Sequence, residues 1–537
     1  MLINKVKKII SLGLVVALTT GIISGCGSKT DSPQSATSSA EKSSAETGQS
    51  GEPVEISMFI ASRLPEAIYS PETLTFKTMA EKLNIKLNIE SVVESEAKQK
   101  FGVKITSGDY PDVMAGKLPD INMFGTSGAF LPLDDLIEEH APNIKKYLVE
   151  NKEALAQSVG SDGKIYAIPM LSAVRTAMGY NIRMDWLEKL NLPVPETIDD
   201  WYNVLTAFKT NDMNGNGAGD VTPLILDRAW ENYYNNFADA WGIELNGNND
   251  YWTIKDGKIA FAPILPETKE YLTTMAKWYK EGLIDSEFIT REDTNNFHML
   301  NNKTGATCYW TGYVAGMNTN TEVLANDPDT NWQVIQPPVL TKGSEPKTYS
   351  QQSAIVNYGW AISNSAKDPV AIIKMFDYVY SDEGTLLFNF GIEGESYTME
   401  DGVPQYTDMV INNDGGITKW IRTNGLQALM GMRQMPEYEA ASCANEDVKK
   451  QLFDYVDNDY FFSINPTLTL TEAEQEMYDI KMSTIKTYVD EELIKFFIGS
   501  RPIEEFDSFT ARVKELGIDD MTVLKQQSYE RYLTIAE

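Results

Sequence analysis

Residues 212–221, DMNGNGAGDV, carry an oxygen-bearing side chain at almost every second position, with glycines between them. Asp212, Asn214, Asn216 and Asp220 can turn toward one point, and the backbone carbonyl of Ala218 can fill the remaining gap. Two readings follow from that spacing: a site for a cation that prefers hard oxygen donors, or a metal-free loop closed by Asx turns. In either case the loop is a support and not a reaction centre. His140 and His298 are the only histidines, too few for a zinc-hydrolase cluster and a poor basis for a Ser-His-Asp triad.

The second group of residues suited to chemistry is aromatic. The chain has 10 Trp and 26 Tyr, more than ordinary packing suggests. Flat rings stack on the apolar C–H faces of sugars while polar side chains take the hydroxyls. Trp201 and Trp278 sit on helical apolar stripes and read as packing residues. Trp310 is different: it ends the apolar strand GATCYW and is followed by Thr311 and Gly312. Asp and Glu total 77, so a carboxylate-dependent glycoside hydrolase stands as the alternative to a binding protein.

The elements that hold these residues alternate between strand and helix. VEISMFI (54–60) reads as a strand, PETLTFKTMAEKLNI as a helix with Pro71 near its first turn, and KLNIESV (86–92) as a second strand. A polar helix follows, and Pro111 opens a third strand. This order is what a mostly parallel, helix-covered sheet requires. Thr197 and Asp200 form a capping box ahead of Trp201, Val204, Leu205 and Phe208 on one helical face. Another helix begins at Asp368-Pro369. The fold class is α/β, with more than one sheet.

The amino terminus has a short basic segment at Lys5, Lys7 and Lys8, an apolar run (IISLGLVVALTTGII) and small residues directly before Cys26. That is the pattern of a secretory signal over 1–25. The stretch 26–52 is rich in Ser, Thr and Gly without aromatics, a flexible tether spanning roughly 30 Å. No later stretch reaches 18 uninterrupted apolar residues, which points to a soluble body. Formal charge is −31, or −34 once the three lysines leave with the signal. So acidic a surface argues against nucleic acid and anionic lipid as partners. Cys308 and Cys443 are two free thiols or one bridge.

The blocks SGDYPDVM (107–114), GKIYAIP (163–169), YNIRMDWLEKLNLPVPETIDDWYNVLTAFKTND (180–212), SNSAKDPVAIIKMFDYVYSDEG (363–384), FGIEGESYTMEDG (390–402) and FFIGSRPIEEFDSFTARVKELGID (496–519) follow one another in order. Together they resemble the family 1 extracellular solute-binding proteins, in the branch of large Gram-positive lipoproteins that serve oligosaccharide ABC importers. Cys26 in ISGC resembles a lipobox cysteine, the lipidated first residue of a mature lipoprotein on the extracellular face of the membrane.

The resemblance implies a two-lobe, periplasmic-binding-protein-like fold of type II, with discontinuous lobes joined by hinge strands. One lobe is expected over 53–172 plus about 360–440, the other over 173–359 plus about 441–537. Crossings are expected near Leu171–Ala177, near Ser353–Gly359 and around 440–460. Contacts made by both lobes exist only in a closed state, so the ligand drives closure and a permease reads it. A monomer without enzymatic activity, binding an oligosaccharide or related polar solute, is implied.

Within that family frame Trp310 is expected at the cleft. Strand C-terminal ends, where α/β sheets open toward ligands, place Ser62 and Arg63 after the first strand and Lys117 after the third. Arg175 lies at the first crossing, Trp230 and Trp360 beside loop or hinge segments, and Tyr397 after the GIEGES turn. The arginines and the lysine suggest an acidic or strongly polar sugar. In the related alginate-binding branch a loop of the form D-x-N-x-N-G-x-x-D, followed by an acid, holds calcium. Asp212, Asn214, Asn216, Ala218 and Asp220 match it and imply structural Ca2+, although Val221 stands where those relatives supply the acid.

Overall fold

The computed structural model describes residues 52–172, 178–217, 219–226, 236–290, 296–350, 354–443, 445–463 and 465–537. Cys26 and the rest of the leader and tether through 51, and likewise Arg175, Ala218 and Trp230, lie outside the described residues.

Strands β1 (Val54–Ser62), β2 (Ile85–Val93), β3 (Val113–Gly116) and β4 (Ile168–Ser172) precede β5 (Met178–Arg183) and β6 (Thr222–Leu226). Then come a hairpin of β7 (Trp252–Lys255) and β8 (Lys258–Phe261), β9 (Thr304–Trp310), β10 (Trp332–Ile335) and β11 (Ile355–Ile362). A second hairpin, β12 (Tyr397–Glu400) and β13 (Val403–Tyr406), precedes β14 (Met432–Gln434). They form a six-stranded sheet in the order β14-β4-β11-β3-β1-β2 and a four-stranded sheet in the order β10-β5-β9-β6.

The parallel sheet that the β-α-β-α-β order implies is present: β1 pairs in parallel with both β2 and β3. Met58 to Ala61 are all buried, as in a strand covered on both faces. Two boundaries differ from the sequence reading. The first helix is Leu74–Leu83, because Ser70 and Thr73 bond each other in a turn that holds Pro71 outside it. The third strand starts at Val113 rather than Pro111, since the Asp112 carboxylate is occupied by the backbone N–H and hydroxyl of Ser57. The Thr197–Asp200 capping box forms, and Asp368 caps the helix Pro369–Tyr380.

Each sheet has its own apolar core. Phe59, Ile60, Met114, Ile168, Trp360 and Phe376 belong to the core around the first sheet. Tyr180, Trp201, Phe208, Phe237, Trp278 and Phe496 belong to the core around the second. The chain passes from first sheet to second between β4 and β5, back between β10 and β11, and leaves the first sheet again after β14. The helix Glu446–Asp457 after that passage packs on the short helix Thr311–Ala315 and on β10. On β11, a Cβ at Gly359 would stand 2.6 Å from the Ile168 carbonyl oxygen. Only glycine lets this strand lie so close to β4 where their register shifts. Cys308 and Cys443 are free thiols. Among the described residues no helix is long and apolar enough to cross a membrane.

Candidate functional site

Strand directions determine which sheet edges meet. In the first sheet β11 is antiparallel to both β3 and β4, so those two run the same way as β1 and β2, and β14 is parallel to β4. Their C-terminal ends therefore share one edge, from which β4 leaves for the second sheet. In the second sheet Met178, the first residue of β5, pairs with Trp310, the last residue of β9. The intervening residues 173–177 are a link of at most about 20 Å. The edge carrying Trp310 thus lies close to the strand ends of the first sheet, the place where α/β sheets take ligands.

On the first-sheet edge, Arg63 follows β1, Glu94 follows β2 and Lys117 follows β3. The antiparallel bridge Ala61–Leu429 and the bond from Thr75 N–H to the Asn424 carbonyl bring a distant segment beside the end of β1. Arg422, in the last turn of the helix Gly416–Thr423, comes with it. Tyr438 and Glu439 arrive on the helix Pro436–Ala441 that follows β14, and Tyr358 on β11.

Burial and charge both shape the electrostatics of this edge. Glu439 is still reached by solvent, yet burial pushes its carboxyl up to about 7, with Arg63 pulling the other way. Tyr438 and Tyr358 are raised first by burial and then by Glu439 and Glu94 respectively. Arg422 is lowered by burial and then by the nearby positive charge of Arg63. Asp120, behind Lys117, is raised by burial against the pull of Lys98 and Lys117.

The expected ligand contacts divide accordingly. The structure brings Arg63 and Lys117 to one edge, half-buried and exposed respectively. Trp310 is half-buried at the end of β9 in the second sheet, beside the start of β5. Three others are placed elsewhere, and here the sequence reading needs correcting. Trp360 is 0% exposed and packs on Phe376 at 4.4 Å, because it points from mid-strand into the core. Tyr397 is buried against Phe390 in a small separate cluster under the β12–β13 hairpin. Ser62 is buried, its hydroxyl donating to the carbonyls of Leu64 and Ala67 to shape the turn after β1. Arg175 and Trp230 lie outside the described residues.

The 212–220 loop sits at the other end of the second sheet. It leads into Thr222, which pairs with Thr304 at the start of β9, six residues before Trp310. Gly215, Gly217 and Gly219 take φ of 80°, 111° and 84°, a left-handed path that side-chain-bearing residues resist. Asp212 accepts from the Gly215 N–H at 2.8 Å, and Asn214 from the Asn216 N–H at 3.1 Å. The Asn214 amide also donates to Asp220 at 3.2 Å, so positions 214 and 220 lie together with the amide nitrogen, not its oxygen, toward the carboxylate. The donor chemistry fits a hard cation, with the Asn214 amide nitrogen lying against the carboxylate that such a cation would neutralise. Val221, only 8% exposed, is a core residue beside Met213 and supplies nothing. No group of three or more His, Cys, Asp or Glu suited to a metal occurs among the described residues.

The same end of the sheet holds a network that the sequence did not reveal. Arg183, 1% exposed, donates to both oxygens of Asp185, to Asp327 and to Asn302. Its guanidinium lies 4.9 Å from the Trp186 ring centre and 5.9 Å from that of Trp332. The Asn302 carbonyl accepts from Asn214, tying the loop to the network.

Comparison with known proteins agrees with this architecture. The fructooligosaccharide ABC transporter substrate-binding protein FusA of Streptococcus pneumoniae is 25% identical over 477 residues, covering 82% of this chain and 83% of its own. FusA has also been solved as an EF-hand mutant in complex with fructo-nystose, at 20% structure-aligned identity and a TM-score of 0.68 over 90% of this chain and 99% of that one. Lipoprotein LipO of Bacillus subtilis is 25% identical over 485 residues, covering 86% and 90%. The alginate-binding protein AlgQ2, solved without calcium ion, superposes with a TM-score of 0.73 at 26% identity, over 89% of this chain and 98% of that one. The family model for bacterial extracellular solute-binding proteins matches residues 69–386. With two α/β sheets joined by crossing strands and a match over more than half its length, the chain belongs to the bacterial extracellular solute-binding protein family.

Proposed function

We propose that this protein is the substrate-binding lipoprotein of an ABC importer, which captures an oligosaccharide between its two lobes and presents it to a membrane permease. The observation that carries this reading is the pair of strand ends joined by the short link from β4 to β5, the first-sheet edge with Arg63, Glu94, Tyr438 and Glu439, and the second-sheet edge with half-buried Trp310. Hydroxyl-binding groups opposite a free ring face suit a sugar. FusA and AlgQ2 are named for fructooligosaccharide and alginate binding, which favours capture over hydrolysis. The lobes comprise 53–172 with about 360–440, and 173–359 with about 441–537. The protein acts as a monomer. In a thermal-shift screen of oligosaccharides at least one should raise the melting temperature and be recovered uncleaved. Cleaved product from a preparation free of contaminating activity would make the glycoside hydrolase the better reading.

Ca2+ on Asp212, Asn214, Asn216, the Ala218 carbonyl and Asp220 is part of the proposal, as support for the second lobe. With a valine at 221, a coordination place falls to water, and affinity on the order of 10⁻⁴–10⁻³ M suffices outside a cell. Chelator should lower the melting temperature through the lost binding linkage. Solute affinity should hardly change, since about 20 Å of strand separates the loop from Trp310. An unchanged melting curve in chelator would leave a metal-free Asx-turn loop.

Lipidation at Cys26 would hold the protein on the extracellular face of the membrane, in keeping with its likeness to a lipoprotein. Cys26→Ala should release it into the medium with its solute affinity intact. A variant that stays membrane-bound after removal of 1–25 would contradict the anchor.

A further inference from the structure

The first-sheet edge holds two arginines, Arg63 directly after β1 and Arg422 on the helix Gly416–Thr423. Arg422, in the last turn of its helix, is favoured by the helix dipole. That accounts for one cation but not for a second beside it. Arg63 stands close enough to lower Arg422, and both feel the same neighbours, Tyr69 and Tyr438. Among the described residues neither guanidinium has a hydrogen bond or an ion pair. An arginine carries five donors, so two such forks lie half-buried and unspent on one edge, where the Ala61–Leu429 bridge and the Thr75–Asn424 bond bring their two segments together.

The carboxylates nearby do not neutralise the pair. Glu439 makes no ion pair with either arginine, and its side chain instead accepts from the Gln434 amide at 3.4 Å. Burial raises it to about 7, so a substantial fraction is uncharged near neutrality. Glu94 lies within range of Arg422 and Tyr358 without contacting either guanidinium. The buried Tyr69 hydroxyl also lacks a hydrogen-bond partner. Neighbouring Ser62 directs its own hydrogen to backbone carbonyls. Two like charges on one edge, neither in an ion pair, repel each other unless an anion comes between them, and guanidinium forks match a carboxylate in geometry as well as charge.

We propose that Arg63 and Arg422 form a carboxylate-holding subsite at the mouth of the first lobe, which selects an oligosaccharide bearing uronic-acid groups. This rests on the oligosaccharide-binding reading and narrows it to acidic chains. Lys117, exposed at the end of the neighbouring strand β3, extends the positive edge along which successive acidic rings lie. On a chain of net charge −31, a local positive patch is what lets an anionic solute bind at all.

The test compares matched probes on the intact protein. Oligogalacturonates and oligomannuronates are titrated beside their methyl esters, with neutral malto-, xylo- and fructo-oligosaccharides and sodium sulfate alone as further arms. An acidic oligosaccharide should bind at least tenfold more tightly than its methyl ester, and the difference should shrink as salt rises. Arg63→Gln and Arg422→Gln should each weaken the acidic ligand tenfold or more. Without ligand neither variant should melt lower than the parent, because each relieves a repulsion; a structural arginine would melt lower. Binding of a neutral oligosaccharide with no preference for acidic chains overturns the subsite and leaves the oligosaccharide reading standing. Sulfate stabilising as much as the acidic chains also overturns it, reducing the pair to an unselective anion site. Failure of every oligosaccharide, acidic and neutral, would count against both readings.

Discussion

Arg183→Met is expected to destabilise the protein by about 3–5 kcal/mol, measured by urea or thermal unfolding. The guanidinium is 1% exposed and serves Asp185, Asp327 and Asn302 at once. Methionine fills much of the volume between Trp186 and Trp332 but leaves the Asp185 and Asp327 carboxylates without their shared cation. The penalty is that of uncompensated charge on carboxylates only 15% and 19% exposed, more than the worth of any one hydrogen bond. Asp327→Asn should cost less, since Asp185 still holds the arginine through two bonds. Arg183 ends β5, whereas the proposed ligand edge lies at its start, so solute affinity of the folded fraction should be unchanged. A loss below about 1 kcal/mol would mean that water reaches this network and screens it.

This network shows why part of the molecule was legible in the sequence and part was not. NIRMDW reads as the end of a strand entering a helix. Nothing in its local pattern says that Asp327 and Asn302 will close on Arg183 from more than a hundred residues away. Local rules work where the cause is local: the capping box at Thr197, the proline-led helix at Pro369, and the parallel order of β1, β2 and β3. The rule that strand ends face ligands placed Arg63 and Lys117, and applied to the second strand it would also have pointed to Glu94. Arg422, Tyr438 and Glu439 had no comparable signal. They reach the edge through a single bridge, Ala61–Leu429, and through β14, a strand of 3 residues too short to show alternation. Trp360 and Tyr397 were misplaced for the opposite reason. Each is an aromatic near a hinge or turn, but whether a ring points in or out depends on strand register, which Phe376 and Phe390 reveal only once folded.

Trp310→Ala, by contrast, should spare the fold and damage binding. The ring sits at the terminus of β9, half-buried, where the chain turns into the helix Thr311–Ala315. Its neighbours Tyr309 and Tyr313 pair with each other edge to face at 5.6 Å, and Trp310 forms no ring pair among the described residues. Trp186, Trp201 and Trp278, fully buried, all have ring partners in the core of the second lobe. Under the proposed function, a tryptophan without a ring partner at this strand end would be a stacking platform for a sugar ring. Its removal should cost about 1–3 kcal/mol of binding, roughly 5- to 150-fold in dissociation constant, read by calorimetry with whichever oligosaccharide the thermal screen returns. Apo stability should change less than for Trp201→Ala, which empties a sealed core position and should cost about 3–5 kcal/mol. If Trp310→Ala instead melts as low as Trp201→Ala while its folded fraction binds normally, the ring belongs to the lobe's packing, and recognition on this edge must come from another residue.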